Sequence, residues 1–339
     1  MKVLSAIPEK FGGVEYHRLW TPLNKLASPD FEVHHVPSFI PRTRTDIWKD
    51  YDLCIVSRTI DVSPRQISSI RQIKKHSKLV VDVDDLWVLY KDHALYRFYK
   101  KINYKYYAKE LLRHADLVTT TTEYLADEIC QVTNAPIAIL PNAIDPDQPQ
   151  WKIDRKPSDR LRFGWVGGMH HLPDIAKVRH HFKRIAGLDC EIYLAGYSEQ
   201  EPVYEYYTSV LSGDYKHPHV NKINAADVHT YGSAYDYFDV AIAPLEDNRF
   251  NSCKSELKVI EAGFKGCAVI ASAVKPYDLI CTEKNSIFTD DYYTAFKRLI
   301  DNPSQVEDLA AKLSEDVREK YHIDVVNKAR LEAYESILR

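Results

Sequence analysis

The chain of 339 residues lacks the features that would place it in several large protein classes. It has 45 lysines and arginines against 48 acidic residues, so its net charge of −3 gives no long-range attraction for nucleic acid. No apolar run approaches the length that spans a membrane. Lys2 followed by only five residues before Pro8 is not a secretory signal. We therefore expect a cytoplasmic protein.

Cysteine is scarce, and no two cysteines have the spacing of a redox or metal motif. The six cysteines lack C-x-x-C spacing, and most stand in apolar surroundings, so we interpret them as reduced thiols of the core. The sequence also has no G-x-S-x-G, no P-loop and no H-E-x-x-H. Hydrolases, nucleoside triphosphatases and zinc peptidases of those types are therefore without support.

The hydrophobic pattern predicts two α/β domains. A hydrophobic content of 45% allows large cores, and a chain of this length usually forms two domains. Expected strands and helices alternate along the chain, which predicts parallel, doubly wound sheets. Residues 145–160, rich in proline and charge, interrupt the alternation and are predicted to be a linker. We predict domains over residues 1–148 and 160–320, with a C-terminal helix over residues 321–339.

One stretch of the second half has the layout of a strand–helix–strand unit. A buried strand is expected over residues 240–244, with a polar loop after it. A helix is expected to open at residues 254–256 and to end at Gly266, before another buried strand at residues 269–270. Such a helix start presents unpaired N–H groups at the carboxyl edge of a parallel sheet, where a phosphate is favoured. Lys254 adds a full positive charge at the same place.

The sequence from Lys254 to Gly266 reads K-S-x-L-K-x-x-E-A-x-x-x-G and resembles the donor-binding segment of family-4 glycosyltransferases. In that family two glutamates spaced E-x7-E flank the helix start. The second, matched here by Glu261, holds the ribose hydroxyls of a nucleotide-sugar. The first falls on Cys253, a departure that concerns the donor-sugar contact and not the diphosphate site. A subgroup of that family has the pattern K-S-x-L-K-x-x-E, and this chain resembles the subgroup more closely. The alternative interpretation of this segment is an ordinary amphipathic helix with lysines on its surface.

The resemblance implies the GT-B fold, in which two Rossmann-like domains have parallel sheets facing a central cleft and the final helix often returns to the first domain. It also implies a retaining hexosyltransferase that moves a sugar from a nucleotide-diphosphate-sugar to an acceptor hydroxyl, with no metal or other cofactor. Fixed donors would stabilise the charge that develops on the leaving diphosphate. The residues assigned here are Lys254 as a catalytic group and Ser255, Glu256, Leu257 and Glu261 as donor-binding residues.

A pair of glycines, Gly12 and Gly13, follows the first expected strand and precedes a helix. Glycines at such a position let a ligand approach the backbone closely. In the resembling family this loop lies near the donor phosphates, so both glycines are predicted to bind the donor. A tight turn without a ligand is an equal alternative. Arg18, further along the helix, either adds a cation there or stays on the surface.

A second glycine pair, Gly167 and Gly168, follows the first expected strand of the second domain. The run G-G-x-x-H-x-x-D resembles a loop of the same family-4 subgroup, in which the glycines admit the phosphate. His171 is assigned as a catalytic hydrogen-bond donor, and Asp174 caps the helix or orients the histidine. A zinc site of neighbouring histidines is discounted, because adjacent histidines point apart and no cysteine joins them.

Three carboxylates, Asp82, Asp84 and Asp85, stand at the end of an expected strand. Carboxylates in this arrangement can hold Mg²⁺ or Mn²⁺ on a sugar diphosphate. They can also be solvated residues that cap a helix. Our preferred interpretation places Asp84 and Asp85 on the wall of the cleft, with Asp84 as a catalytic residue and Asp85 binding the acceptor.

A helix is expected from about residue 93 to residue 114, and its aromatic residues are interleaved with lysines and arginines. The apolar stripe of this helix includes Phe98, Tyr99 and Tyr106, and the lysines take the other face. We favour a core helix with a solvated basic side. Stacking on nucleobases, or contact with a membrane surface near a lipid-linked acceptor, is the alternative.

The acceptor and the exact activity stay open at this stage. The expected partners are a nucleotide-diphosphate-sugar and a hydroxyl acceptor, which could be a glycan, a lipid-linked sugar, a protein or a modified nucleobase. Peripheral contact with the inner membrane face is a further alternative. A nucleotide-sugar epimerase of the same fold, or a nucleotide-sugar-binding protein without activity, would also carry these motifs. The substitution at Cys253 favours the second of these alternatives.

Overall fold

The computed structural model describes residues 1–8, 10–37, 47–217 and 220–339. The chain forms two compact units. Unit 1 comprises Met1–Ala143, Ser252–Ser255 and Ile323–Arg339, and unit 2 comprises Ile144–Asn251 and Glu256–His322. Among the helices of the described ranges, none combines the length and the apolar content needed to cross a bilayer.

Unit 1 is built on a parallel sheet with strand order β2-β1-β3-β4-β5-β6 over the described residues. Its central strands are buried along nearly their whole length, as expected where helices cover both faces of a sheet. The strands are β1 (Lys2–Ala6), β2 (Glu32–Val36), β3 (Leu53–Ser57), β4 (Lys78–Val83), β5 (Leu117–Thr120) and β6 (Ile137–Ile139). The helices are α1 (Gly13–Glu15), α2 (Thr21–Leu26), α3 (Arg65–Ile73), α4 (Tyr96–Lys101), α5 (Tyr104–His114) and α6 (Glu123–Ile129), and a π-helical stretch (Tyr16–Trp20) joins α1 to α2.

Unit 2 is built on a second parallel sheet, with strand order β12-β11-β10-β7-β8-β9. A hydrophobic core lies on each side of this sheet, one around Phe163 and Trp165 and the other around Phe238 and Val269. The strands are β7 (Arg162–Val166), β8 (Glu191–Tyr197), β9 (Val220–Asn224), β10 (Val240–Ala243), β11 (Ala268–Ala271) and β12 (Ile287–Phe288). The helices are α7 (Leu172–Lys177), α8 (Arg179–Ile185), α9 (Val203–Leu211), α10 (Arg249–Ser252), α11 (Leu257–Phe264), α12 (Tyr292–Asp301) and α13 (Ser304–Tyr321).

The last helix, α14 (Ile323–Ser336), belongs to unit 1. The Asn327 side-chain amide donates to the carbonyl of Pro22 at 2.9 Å. Tyr334 is 1% exposed and packs in the core of unit 1 with Val3 and Leu19. The C-terminal residues are therefore fixed to the first sheet's unit by apolar burial and a buried hydrogen bond.

Both sheets have a topological switch point. This is the place where the chain connections from two adjacent strands lead toward opposite edges of the sheet. In unit 1 it lies between β1 and β3, and in unit 2 between β7 and β10. Ligands of open α/β sheets bind at the carboxyl ends of the strands at such points. The architecture confirms the predicted α/β class with two parallel sheets. The loops that follow β1, β3, β7 and β10 are therefore the places where a ligand is expected.

The expected single helix over residues 93–114 is wrong. Asn103 adopts a left-handed conformation with φ of 54° and separates α4 from α5. Within the described ranges α4 has no buried residue, and Phe98 and Tyr106 are 56% and 47% exposed. The aromatic stripe therefore does not form a core face, because the chain changes direction before Tyr104 becomes buried.

The expected linker over residues 145–160 is also not an exposed tether. Trp151 is 2% exposed and packs in a core of unit 2. The ammonium group of Lys265, which is fully buried, donates to the backbone carbonyls of Gln150 at 3.0 Å and Lys152 at 2.5 Å. An apolar anchor and a buried cation thus fix this proline-rich stretch to unit 2.

Candidate functional site

The loop after β7 combines a glycine required by packing with a glycine that has open space beside it. A Cβ on Gly167 would lie 2.3 Å from the buried indole of Trp165, which excludes any larger residue without rearrangement. A Cβ on Gly168 would meet no atom of the described chain within 4 Å. The backbone at Gly168 is therefore open to close approach by a ligand.

Two tyrosines of α9 hold this loop in place. The Tyr204 hydroxyl donates to the carbonyl of Gly167 at 3.2 Å, and the Tyr207 hydroxyl donates to the carbonyl of Met169 at 2.9 Å. The Tyr207 oxygen also accepts from the backbone N–H of His171 at 3.1 Å. Burial raises the pKa of the Tyr207 hydroxyl, so it remains a protonated donor at neutral pH. The loop is therefore preorganised.

His171 is oriented by a buried carboxylate. Its Nδ1 lies 2.8 Å from an Asp174 oxygen, and Asp174 is 4% exposed. The other oxygen of Asp174 accepts from the backbone N–H of Glu246 at 2.9 Å and from the side-chain amide of Asn251 at 3.2 Å. A carboxylate at Nδ1 stabilises the tautomer with its proton there. Asp174 also connects the loops after β7 and β10, the two strands at the switch point.

Two lysines reach the carboxyl ends of the same strands. Lys258, on the first turn of α11, donates to the carbonyl of Val166 at 2.5 Å and lies 5.3 Å from the centre of the Trp165 ring. Lys177 donates to the carbonyl of Leu245 at 3.1 Å and pairs with Asp290 at 2.8 Å. Positive charge is thus placed at the ends of β7 and β10.

Glu261 lies on α11 and is only 4% exposed. One carboxylate oxygen accepts from the Tyr231 hydroxyl and the other from the Tyr235 hydroxyl, the latter at 2.8 Å. Burial and the carboxylate raise the pKa of Tyr235 well above its ordinary value. The structure thus surrounds Glu261 with hydroxyl donors, and its assignment to ribose binding stays a prediction.

The expected helix start at Lys254 is wrong, because α11 begins at Leu257, three residues later. Glu256, which is 2% exposed, precedes the helix and accepts a hydrogen bond from the Tyr321 hydroxyl at 2.5 Å. Ser255 Oγ accepts from the side-chain amide of Asn142 at 2.8 Å. These side-chain contacts hold the preceding residues outside the helix.

Lys254 lies in unit 1, beside a group of charged residues. Its ammonium group is 3.2 Å from a carboxylate oxygen of Asp85. Arg58 makes two hydrogen bonds with Asp84, at 2.6 and 2.8 Å, and lies 3.5 Å from Asp85. Burial alone would raise the pKa of Asp84, but the guanidinium group of Arg58 outweighs it and the pKa is lowered. Two carboxylates and two cations therefore meet after β3 and β4.

Arg58 has an unusual backbone conformation for a non-glycine residue, with φ of 62°. Such a conformation costs of order 1–3 kcal/mol and persists only where surrounding contacts enforce it. The two hydrogen bonds to Asp84 are such contacts. In this conformation the guanidinium group of Arg58 lies against Asp84 and Asp85, the two carboxylates predicted to be functional.

Asp82, the first carboxylate of the run, has a separate role. It forms two hydrogen bonds with Arg18, at 3.0 and 2.8 Å, and accepts from Thr119 at 2.6 Å. Arg18 is 1% exposed and also donates to the carbonyl of Leu140 at 2.5 Å. Both expectations for Arg18, a phosphate-binding cation or a surface residue, are wrong. Over the described residues, no group of three or more His, Cys, Asp and Glu side chains is arranged to hold a metal ion.

Gly12 and Gly13 lie at the start of α1, after β1. The N–H of Gly12 donates to the side chain of Glu15 at 3.2 Å, and a Cβ on Gly13 would meet no described atom within 4 Å. A cavity of about 240 Å³, lined by Glu15 and by Ser57 among others, lies at the carboxyl ends of β1 and β3. The first glycine pair therefore borders the switch point of unit 1.

The structure separates the predicted residues into two groups. Gly167, Gly168 and His171 lie at the switch point of unit 2, whose α11 carries Leu257 and Glu261, while Asp84, Asp85, Lys254 and Ser255 lie in unit 1.

Sequence reasoning missed several positioning residues. Lys258 stood in the quoted motif, and the position of Asn251 in the polar loop was a weak signal. Tyr207 and Arg58 had no local signal, because their contacts are distant in sequence.

No protein-family model and no curated protein sequence matches the chain. Solved structures do match it over nearly its full length. Sucrose-phosphate synthase from Thermosynechococcus elongatus has a TM-score of 0.72 at 14% identity, covering 99% of this chain and 98% of that one. A glycosyltransferase from Rickettsia africae ESF-5 has a TM-score of 0.70 at 11% identity, covering 100% and 98%. HepE of Anabaena, solved with UDP-glucose, has a TM-score of 0.70 at 13% identity, covering 99% and 100%.

The chain has the GT-B fold. Its two parallel sheets and its likeness to solved glycosyltransferases over the whole chain agree on this point. At identities of 11–14% the likeness concerns the fold alone.

Proposed function

We propose that this protein is a glycosyltransferase that moves a sugar, a hexose by preference, from a nucleotide-diphosphate-sugar to an acceptor hydroxyl. The main support for this proposal is the arrangement of residues in the loop at the switch point of unit 2. There an open glycine backbone at Gly168 lies on the same loop as His171, and Lys258 contacts the end of the preceding strand. HepE, which has the same fold, was solved in complex with UDP-glucose, a donor of the proposed class.

The proposed roles follow from the charge that develops during the reaction. When the bond between sugar and diphosphate breaks, negative charge builds on the leaving phosphate oxygens, and fixed donors lower the barrier most at that place. Gly167 and Gly168 would admit the diphosphate, and His171 would donate a hydrogen bond to it. Lys254 would add positive charge as a catalytic group. Glu261 would accept from the ribose hydroxyls in place of the tyrosines that it contacts now.

The acceptor is proposed to bind in unit 1. Asp84 and Asp85 are held after β4 by cations, and their side-chain oxygens can accept hydrogen bonds from a sugar or another hydroxyl compound. Gly12 and Gly13 would border the donor. We propose an acceptor domain over residues 1–148, a donor domain over residues 160–320 and a terminal helix over residues 321–339, which the two compact units support.

We also propose that the reaction retains the configuration of the sugar, needs no metal, and takes place in the cytoplasm. The resemblance to family-4 glycosyltransferases supports retention. Independence from metal is supported by Asp82 and Asp84, whose oxygens already bind guanidinium groups. Activity that EDTA does not reduce, with a released sugar whose first-formed anomer matches the donor, would support both points. Loss of activity in EDTA, or the opposite anomer, would contradict them.

The test uses the purified protein and a panel of radiolabelled nucleotide-sugars, with release of free sugar as the readout. One donor should be hydrolysed slowly without an acceptor. Lys254→Ala should abolish this turnover, and Glu261→Ala should weaken nucleotide binding. Full activity in both variants would refute the assignment of the site. Conversion of the donor into an epimeric nucleotide-sugar would indicate an epimerase, and tight donor binding without turnover would indicate a binding protein.

A further inference from the structure

Unit 1 contains a cavity of about 390 Å³ that the proposed catalytic groups do not occupy. This volume lies within the range of sites for small molecules. The loop after β4 forms one wall, and α4 with the start of α5 forms the other. The lining is mainly apolar and includes the rings of Trp87, Tyr90, Tyr96 and Tyr99.

The cavity lies where the helix expected from the sequence is interrupted. Asn103, in its left-handed conformation, lies at the break and lines the cavity. The Tyr99 ring packs on the Tyr104 ring with centroids 4.1 Å apart, which connects α4 to the buried part of α5. The rings of α4 are thereby held beside the loop after β4. A cavity lined by a fixed aromatic face accepts planar or apolar groups.

One buried polar atom of the lining residues has no hydrogen-bond acceptor within the described chain. The indole Nε1–H of Trp87 is buried, and Trp87 as a whole is 5% exposed. An unpaired buried donor costs about 1–3 kcal/mol. Buried polar groups in native proteins are nearly always paired, with protein, water or ligand. Trp87 thus places a buried, unpaired donor among the residues that line the cavity.

The charge around the cavity has one sign. Lys91, Lys100 and Lys105 line it, and no acidic residue does. In the part of the chain that the structure describes, none of the three forms an ion pair with a carboxylate. Three cations around an apolar space favour a ligand with an apolar group and an anionic group.

We propose that this cavity binds the acceptor and that the acceptor is an amphiphile carrying a phosphate. Its apolar part fills the aromatic cavity, and its phosphate contacts the lysines. The proposal rests on the proposed transferase function, since Asp84 and Asp85 immediately precede the lining loop in the sequence. The phosphate amphiphile could be a soluble alkyl or aryl phosphate or a lipid in a membrane.

Isothermal titration calorimetry with octyl phosphate tests the chemistry directly. Octyl phosphate should bind at least tenfold more tightly than octanol or inorganic phosphate, because only octyl phosphate engages both the rings and the cations. The double substitution of Lys100 and Lys105 by Gln should weaken its binding at least tenfold. Lys101→Gln removes an exposed neighbouring charge that does not line the cavity and should leave binding unchanged.

A second pair of variants tests the apolar part. Tyr96→Ala shortens the aromatic wall and should weaken octyl phosphate binding several-fold, while Tyr106→Ala, on an exposed ring outside the cavity, should not. Circular dichroism confirms that each variant is folded. Vesicles containing phosphatidic acid distinguish the sources. Binding to vesicles with the same sensitivity to Lys100 and Lys105 supports a lipid, and binding of octyl phosphate alone supports a soluble compound.

Equal affinity for octyl phosphate and octanol, or wild-type affinity in both the lysine and Tyr96 variants, would overturn the proposal. This outcome is separable from failure of the proposed function. Calorimetry on the cavity needs no donor, and hydrolysis of a nucleotide-sugar needs no acceptor. Hydrolysis without octyl phosphate binding removes the cavity proposal alone. Octyl phosphate binding without donor hydrolysis removes the transferase proposal and, with it, the assignment of the bound amphiphile as an acceptor.

Discussion

Replacing Gly168 by valine separates the proposed binding role of the loop from its contribution to folding. Gly168 does not have positive φ, and a Cβ there meets no described atom within 4 Å. A side chain therefore fits the folded protein. We expect the stability of the Gly168→Val variant to lie within about 0.5 kcal/mol of the wild type.

We expect the Gly168→Val substitution to weaken the binding of the diphosphate. A phosphate oxygen that accepts from a backbone N–H lies about 2.7–3.2 Å from the nitrogen, and a branched side chain on the same residue occupies that approach. Loss of one charge-assisted hydrogen bond costs about 1.5–3 kcal/mol. Since 1.4 kcal/mol is a factor of ten, UDP should bind the variant roughly tenfold to 150-fold more weakly.

Gly167→Ala is the matched control. Its Cβ would lie 2.3 Å from the buried Trp165 ring, so overpacking should destabilise this variant by about 1–3 kcal/mol. Urea denaturation measures the stability of both variants, and calorimetry with UDP measures binding. A folded Gly168→Val variant that binds UDP within twofold of the wild type would refute the placement of the diphosphate at this loop.

Three further changes have effects that follow from single contacts. Lys265→Met removes a fully buried ammonium that donates to two carbonyls and a carboxylate, and should lower the free energy of unfolding by about 3–5 kcal/mol in urea denaturation. Asp84→Asn removes a carboxylate whose pKa Arg58 lowers, and should cost about 1.5–3 kcal/mol at pH 7. Because the pKa of Asp84 is lowered in the folded state, this contribution is complete above the unfolded-state pKa of about 4 and is lost as the pH falls through the lowered value, so wild type and variant should converge in acid. His171→Asn should reduce donor turnover by about 10²–10³-fold, as loss of one charge-stabilising donor does.

Each of these expectations has a control. Lys284→Met, at an exposed position, should leave stability unchanged, and equal stability of the Lys265 variant would contradict a buried ion network. A difference between the wild type and the Asp84 variant that persists unchanged at pH 2–3 would argue against the lowered pKa. His170→Asn changes the neighbouring exposed histidine and should retain turnover, and equal loss in both histidine variants would point to a general disturbance of the loop.

The fold could be predicted from the sequence because its information is local. Each buried strand of a parallel sheet is a short apolar run, such as residues 53–56 or 240–243, and each crossover helix has its own apolar stripe. The order of such elements restricts the chain to a doubly wound topology. The position of Gly167 and Gly168 directly after a strand could be predicted for the same reason.

The predictions from sequence that the structure contradicts depend mainly on contacts between residues that are distant in sequence. Arg18 pairs with Asp82 across 64 positions, and no local pattern shows that the arginine is buried. The start of α11 at Leu257 depends on Tyr321, whose hydroxyl binds Glu256. The break at Asn103 depends on a backbone conformation that asparagine tolerates but does not require.

The position of Lys254 changes what its substitution can show. Its ammonium group contacts Asp85, which also lies near Arg58, so two cations and two carboxylates form one coupled group in unit 1. Loss of activity in Lys254→Ala could come from lost charge at the diphosphate or from a disturbed Asp85. A double-mutant cycle with Asp85→Asn separates these causes. If Lys254 acts on the diphosphate, its effect persists in the Asp85→Asn background. If it acts by positioning Asp85, the effect disappears there, and the catalytic positive charge must come from another cation such as Lys258.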